Sequence, residues 1–158
     1  MDDEVLARIS ASPARRGLGV LSMAALGAIL VYVAFVRPPE GFVWQLFLIG
    51  FGVGALYLAN RMRQATAEVL ELTREELRST DGTVIARVDE IEHLDRGFFA
   101  FKPSNGFLMR LSGKKKARWE PGLWWCLGRR VGIGGVTPGS HSKALAEILA
   151  ALMHERQN

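Results

Sequence analysis

The densest chemistry in this chain is a run of cations set among tryptophans. The stretch "LSGKKKARWEPGLWW" places Lys114, Lys115, Lys116 and Arg118 beside Trp119, Trp124 and Trp125, and Arg129 and Arg130 follow shortly after. Cations of this kind hold phosphates or carboxylates, and indoles stack on bases or seat among lipid headgroups. A nucleic-acid partner is not expected, because the run is short and the net charge of +4 is mild for such a binder. Three readings remain. The stretch is a solvated lysine-rich turn, with Gly113 and the lysines at a hairpin tip and a tryptophan in the core behind it. Or it meets anionic lipid headgroups, or an acidic protein partner.

Other candidate chemistry is thin. His93, His141 and His154 lie far apart and lack metal-ligand spacing. Asp89, Glu90, Glu92 and Asp95 cluster without a calcium-loop glycine, and read as a solvated edge. "GIGGVTPGS" has glycines but puts Pro138 and Gly139 where a phosphate loop needs its lysine. Those glycines suit a bulge or a tight strand-to-helix crossing. Ser140, His141 and Ser142 have no identifiable acid partner, and capping accounts for the serines. The single cysteine, Cys126, excludes an internal disulfide and reads as a buried strand residue. No catalytic residue, metal site or cofactor is expected.

Two apolar runs must position whatever the basic stretch does. "LGVLSMAALGAILVYVAFV" (18–36) carries no charge, and "FVWQLFLIGFGVGALYLA" (42–59) is interrupted only by Gln45. Each is close to the roughly 20 residues that cross a bilayer as a helix. Neither has the polar stripe of a soluble surface helix. "RPPEG" between them can only join antiparallel neighbours, so the element reads as a transmembrane hairpin. Arg8, Arg15 and Arg16 precede it, and Arg61 and Arg63 follow, against Arg37 alone in the loop. That asymmetry puts both chain ends in the cytoplasm. Trp44 and Tyr57 have the spacing of interfacial anchors, Gln45 reads as interfacial, and no small-x-small cleavage site marks a signal peptide.

Small residues recur at helical spacing in both runs: Ala24 and Ala28, then Gly50 and Gly54. Such positions let helix backbones approach. The simpler use is packing one helix on the other within the chain, and the sharper use is docking on another integral membrane protein.

Residues 60–68 read as a short juxtamembrane linker, leaving 69–158 as a soluble domain. Asp81-Gly82 and "SNG" mark turns between short alternating runs, including "GFFAFKP", "GFLMRLSG", "ARWE", "LWWCLG" and "RVGIGGV". Six or seven antiparallel strands follow from these signals. At the end, Leu145, Ile148, Leu149, Leu152 and Met153 repeat on one helix face. Charge is asymmetric along the domain: 68–95 holds nine acids and three arginines, and 97–158 holds ten Lys or Arg and three acids. An electrically two-sided domain is expected.

This order resembles the bacterial membrane-anchored PH-like domain proteins over residues 69–153. The resemblance rests on the "TREELRSTDGTVIARVDEIEHL" opening and the "VGIGGVTPGSHSKALAEILAALM" ending, where strand gives way to helix. It implies an α+β fold: a curled antiparallel sheet plugged by a C-terminal helix, behind a cytoplasmic segment (1–17) and a transmembrane hairpin (18–59). It implies a binding or scaffolding role at the inner membrane of a bacterium, and it carries over no site residue. The alternative is an accessory subunit of a larger membrane complex.

Overall fold

A computed structural model describes residues 4–97 and 103–157. The fold is α+β. Helices α1 (Pro13–Val36) and α2 (Phe42–Ala65) form an antiparallel hairpin, and both are long and apolar enough to cross a membrane. Strands β2 (Val69–Leu72), β3 (Glu76–Ser79) and β4 (Val84–Arg87) follow. A 3-10 turn at Val88–Glu90 leads to β5 (Ile91–Asp95), β6 (Phe107–Glu120) and β7 (Trp124–Ile133), and α3 (Gly139–Gln157) closes the chain.

The N-terminal segment supplies a strand that the residue pattern did not reveal. β1 (Ala7–Ser10) pairs antiparallel with β2, with Ile9 opposite Leu70 and Arg8 opposite Glu71. The helical hairpin is therefore an insertion between two neighbouring strands of one sheet. Only Ala11 and Ser12 separate β1 from α1, and only Thr66 to Glu68 separate α2 from β2. The expected linker at 60–68 is the last helical turns of α2 followed by a turn. Thr66 closes it, its Oγ1 donating to the Met62 carbonyl at 2.6 Å.

The strands divide into a four-stranded sheet, β1-β2-β3-β4, and a three-stranded sheet, β5-β6-β7. One core lies between them and α3. Ile9, Leu70, Leu72, Leu77, Ile85, Phe107, Met109, Leu111, Leu145 and Leu149 are all buried in it. The apolar face expected of α3 is the face that packs inward: Leu145, Leu149 and Leu152 are buried, and Ile148 and Met153 lie against the same cluster. The helix starts one residue ahead of Ser140, so neither serine caps it. Ser142 Oγ is instead buried within 3.2 Å of Thr137 Oγ1. Much of the expected "GFFAFKP" strand (residues 98–102) lies outside the described residues.

The basic stretch is not a hairpin tip. β6 runs unbroken through Lys114–Lys116 to Glu120, and the chain turns at Pro121 and Gly122, the latter at φ +86°. Proline cannot extend the ladder and glycine accepts the left-handed backbone, so the turn falls there. The lysines are accommodated by bulging: five residue steps on β6, Arg110 to Lys115, face two on β7, Arg130 to Gly128. A bulge bends its strand and sharpens the local twist.

Candidate functional site

The two helices meet along a seam of small residues. Gly27 and Gly52 meet across it. A Cβ on Gly27 would lie 2.7 Å from the Gly52 carbonyl oxygen, and one on Gly52 would lie 2.7 Å from Val31 Cγ2. Ala34, Ala55 and Ala59 are buried along the same seam. The expected seam through Gly50 and Gly54 is thus displaced: neither has anything within 4 Å of where a Cβ would stand. Ala24 is half-buried and Ala28 is exposed, while Gly27 beside them makes the approach. The reason is phase: the face that packs is the Gly52, Ala55, Ala59 row, spaced by three and four. Gln45, expected to be interfacial, lies in the first turn of α2 and has a partner there. Its side-chain amide donates to the Ala34 carbonyl at 3.0 Å, across the hairpin.

The sheet-side end of this hairpin is clamped to β6 and to the segment that follows β7. Ser12 N–H donates to the Val136 carbonyl at 2.9 Å, and Arg15 donates to the Thr137 carbonyl at 3.0 Å. Arg16 reaches the Arg63 carbonyl at 3.0 Å, from one helix to the other. Arg61 reaches the Trp119 carbonyl at 3.4 Å and lies 3.6 Å from the Glu120 carboxylate. Close backbone approach completes the clamp. Gly135 has φ +136°, and a Cβ there would lie 2.6 Å from the Gly122 carbonyl oxygen. Of the glycines in "GIGGVTPGS", Gly135 serves a tight crossing against the β6–β7 turn, and Gly134 a close approach to Ser104 and Gly106.

Three of the six candidate cations are engaged within the fold. Lys115 Nζ pairs with Glu90 at 2.8 Å and donates to the Ile85 carbonyl at 3.2 Å. Arg118 is held by Glu120 at 2.9 Å, by Asp81 at 2.9 Å and by Thr83 Oγ1 at 2.8 Å, with its guanidinium 5.5 Å from the Trp124 ring centroid. Arg129 donates to both oxygens of Glu92, at 3.0 and 2.9 Å, and to the Leu111 carbonyl at 2.8 Å. Both Glu92 contacts come from Nη2, while Nε serves Leu111, and such charge-assisted hydrogen bonds are stronger than neutral ones. The expected two-sided charge distribution is therefore partly cancelled: these three cations of the basic half pair with Glu90, Asp81 and Glu92 of the acidic half. Lys114, Lys116 and Arg130 remain, exposed and with no ion-pair partner among the described residues.

The titrations follow this pairing. The hydrogen bond from Lys115 holds the Glu90 carboxyl below its ordinary range, against burial. For Asp81, burial pushes upward, but hydrogen bonds from Thr83 and the Arg118 charge outweigh it and the net direction is down. The Glu120 hydrogen bond pushes Arg118 further up. Burial raises the Cys126 thiol, with Lys115 opposing. A thiol held protonated is a poor nucleophile.

A cleft of about 480 Å³ opens between β4 and β6, lined by Val84, Ile85, Lys115, Lys116, Trp124 and Cys126. A smaller one of about 160 Å³ lies at the clamp, between Arg61, Glu68, Asp81, Arg118 and Glu120. Among the described residues no three His, Cys, Asp or Glu side chains are grouped to hold a metal. The arrangement can bind and position through charge and shape.

The sequence reading missed one feature of this surface, the outward face of the β6–β7 hairpin. Trp119 and Trp125 are register partners, and Leu127 follows Trp125 by two residues on the same face. Trp124 and Cys126 alternate inward and are buried. Trp119 is 57 % exposed and Leu127 67 % exposed. Period-two alternation within "LWWCLG" was the available signal. Compared with known protein families, curated proteins and solved structures, the chain matches none.

Proposed function

We propose that this chain is a membrane-anchored binding or scaffolding protein whose α1–α2 hairpin crosses the inner membrane of a bacterium, with a PH-like domain on the cytoplasmic side. No catalytic activity is proposed. The observation that carries the reading is the hairpin's surface. Phe42, Val43, Phe47, Phe51, Leu18, Leu21 and Phe35 are exposed, and the apolar windows of the two helices are only 17 and 11 % buried. Among the described residues nothing covers them, and a bilayer would. The core helix of a soluble protein would be mostly buried instead.

Orientation rests on the arginines. Arg15, Arg16, Arg61 and Arg63 all lie at the sheet-side end of the hairpin, and Arg37 is the one cation in the loop at the other end. The positive-inside rule then favours a cytoplasmic domain. The PH-like reading is supported by the order of elements: four strands, three strands, and a C-terminal helix packed on the shared core. In this reading the membrane hairpin occupies the β1–β2 connection.

Protease accessibility in oriented vesicles tests it. Inside-out vesicles should expose the domain, and right-side-out vesicles should protect it. Cleavage of the domain only in right-side-out vesicles contradicts the orientation, and full extraction by alkaline carbonate contradicts spanning.

A second reading, an accessory subunit of a larger integral membrane complex, is favoured by one observation. Gly50 and Gly54 present a small-residue face that the hairpin itself does not use. Purification in mild detergent followed by mass spectrometry separates the two. A stoichiometric membrane partner lost on Gly54→Leu supports the subunit reading, and a lone protein supports the first.

A further inference from the structure

We propose that the outward face of the β6–β7 hairpin is a second membrane contact: Trp119 and Leu127 seat in the headgroup layer of the leaflet from which α2 emerges, and Lys114 and Lys116 meet anionic lipid there. This rests on the hairpin spanning the membrane.

The apolar part of α2, residues 42–59, is about 27 Å long at 1.5 Å per residue, close to the thickness of a hydrocarbon core. Asn60 and Arg61 therefore reach the headgroup layer. Arg61 donates to the backbone carbonyl of Trp119, and Gly122 of the following turn lies against Met62 and Thr66. The hairpin tip is thus held at the level where the helix leaves the lipid. The insertion of α1 and α2 between paired strands leaves no tether that could carry the domain away.

Trp119 and Leu127 are, with Val84, the large apolar side chains that the sheets leave exposed among the described residues. They share one face of one hairpin, since Trp119 is the register partner of Trp125 and Leu127 lies two residues beyond it. Tryptophan favours the boundary between water and lipid, where its ring is apolar and its N–H is wet. Lys116 stands three residues from Trp119 along β6, roughly 10 Å at strand spacing, at the border of the β4–β6 cleft. Lys114 and Lys116 have no ion-pair partner among the described residues, so their charge is available to a surface. An exposed tryptophan and leucine, with exposed lysines on the same hairpin, match an anionic bilayer in both respects.

Fluorescence quenching by brominated lipid tests the contact in the full chain. The protein is placed in nanodiscs of phosphatidylglycerol and phosphatidylcholine, with or without bromine near the glycerol end of the acyl chains. The parent, Trp119→Phe and Trp44→Phe are compared. Subtracting the Trp119→Phe emission from the parent's isolates Trp119, one of four tryptophans. That difference should be blue-shifted and quenched by the brominated lipid, and the quenching should weaken in Lys114→Glu/Lys116→Glu. An unquenched, red-shifted difference means that Trp119 faces water, and overturns the proposal. An unquenched but blue-shifted difference means that protein covers it, and overturns it too. Trp44, near the far end of α2, is the control for spanning. If Trp44 is quenched and Trp119 is not, only this proposal falls. If neither is quenched, the spanning reading falls with it. An unchanged melting temperature in Trp119→Phe establishes that the fold is intact.

Discussion

The helical hairpin and the sheet domain are built inside out relative to each other. The hairpin buries its smallest residues, Gly27, Gly52, Ala34, Ala55 and Ala59, and turns Leu18, Phe42 and Phe51 outward. The domain buries Phe107, Met109, Leu111 and Leu149 and turns its charges outward. In water, burial of large apolar side chains stabilises a fold, at roughly 25 cal/mol per Å² of apolar surface. In lipid that force between helices vanishes, and close packing of small residues replaces it. On the proposed spanning reading the chain follows two sets of rules, and β1 is where they are joined: four residues that pair into the sheet domain yet precede the first apolar helix.

The sharpest way to break the comparison is to separate the two halves. A fragment of residues 68–158 lacks β1, so it loses Ile9 from the core and exposes the ladder edge of β2. It should fail to unfold cooperatively. Replacing residues 11–68 by a two-residue Asn-Gly turn should restore a cooperative melt in a soluble protein, because Ser10 and Val69 are already register partners. Equal melting of the two would show that β1 is dispensable. In the full chain, Ile9→Ala should cost about 2–5 kcal/mol, the range for deleting a buried aliphatic side chain.

Within the hairpin, Gly27→Leu and Gly50→Leu should differ. The first forces a side chain against the Gly52 carbonyl and Leu56, and the second meets open space. Gly27→Leu should separate the helices, seen as loss of a disulfide engineered across the loop end. Gly50→Leu should leave that crosslink intact. Equal crosslinking would contradict the seam.

How much of this was legible depended on the length of the signal. The two apolar helices and the inward face of α3 were readable because their patterns persist over several turns. β1 was not: "ARIS" is four residues with one buried apolar side chain, and its partner lies across the whole hairpin. The lysine run was misplaced for a related reason. Gly113 and three lysines look like a turn locally, but bulges let β6 continue through them to Pro121. The seam was off in phase because G-x-x-x-G records two small residues and not which face they turn. The pairing of Lys115, Arg118 and Arg129 with Glu90, Asp81 and Glu92 depends on strand register between distant segments, which charge counting does not supply.

The domain's ion pairs give a smaller, pH-dependent effect. Asp81 and Glu90 have folded-state pKa values below their ordinary ones. The unfolded chain therefore binds their protons first as pH falls. Their contribution is fully present above the ordinary carboxylate range of roughly 4, and is lost as pH drops through the folded values. The melting temperature of the parent should fall below about pH 4, more steeply than that of Asp81→Asn/Glu90→Gln. Parallel profiles would mean that these pairs contribute nothing to stability. Both pairs are partly exposed, so the difference should also shrink in high salt.

The smallest effect separates cations that hold the fold from cations that face outward. Lys115 and Arg118 each touch two or more partners, and Lys114 and Lys116 have no ion-pair partner among the described residues. Changing Lys115 and Arg118 to Glu sets like charges against Glu90, Asp81 and Glu120, and should lower the melting temperature. Changing Lys114 and Lys116 to Glu should leave it unchanged. On a surface of anionic lipid the order should reverse. Each outward lysine contributes about 1 kcal/mol to attraction near such a surface, acting over a Debye length of about 8 Å at physiological salt. The hairpin-excised domain should therefore bind phosphatidylglycerol vesicles weakly, lose that binding as salt rises, and bind least as the Lys114→Glu/Lys116→Glu variant. Vesicle binding that survives this change with the fold intact would remove the lysines from the lipid contact, and an unchanged melting temperature in Lys115→Glu/Arg118→Glu would remove the distinction between the two sets.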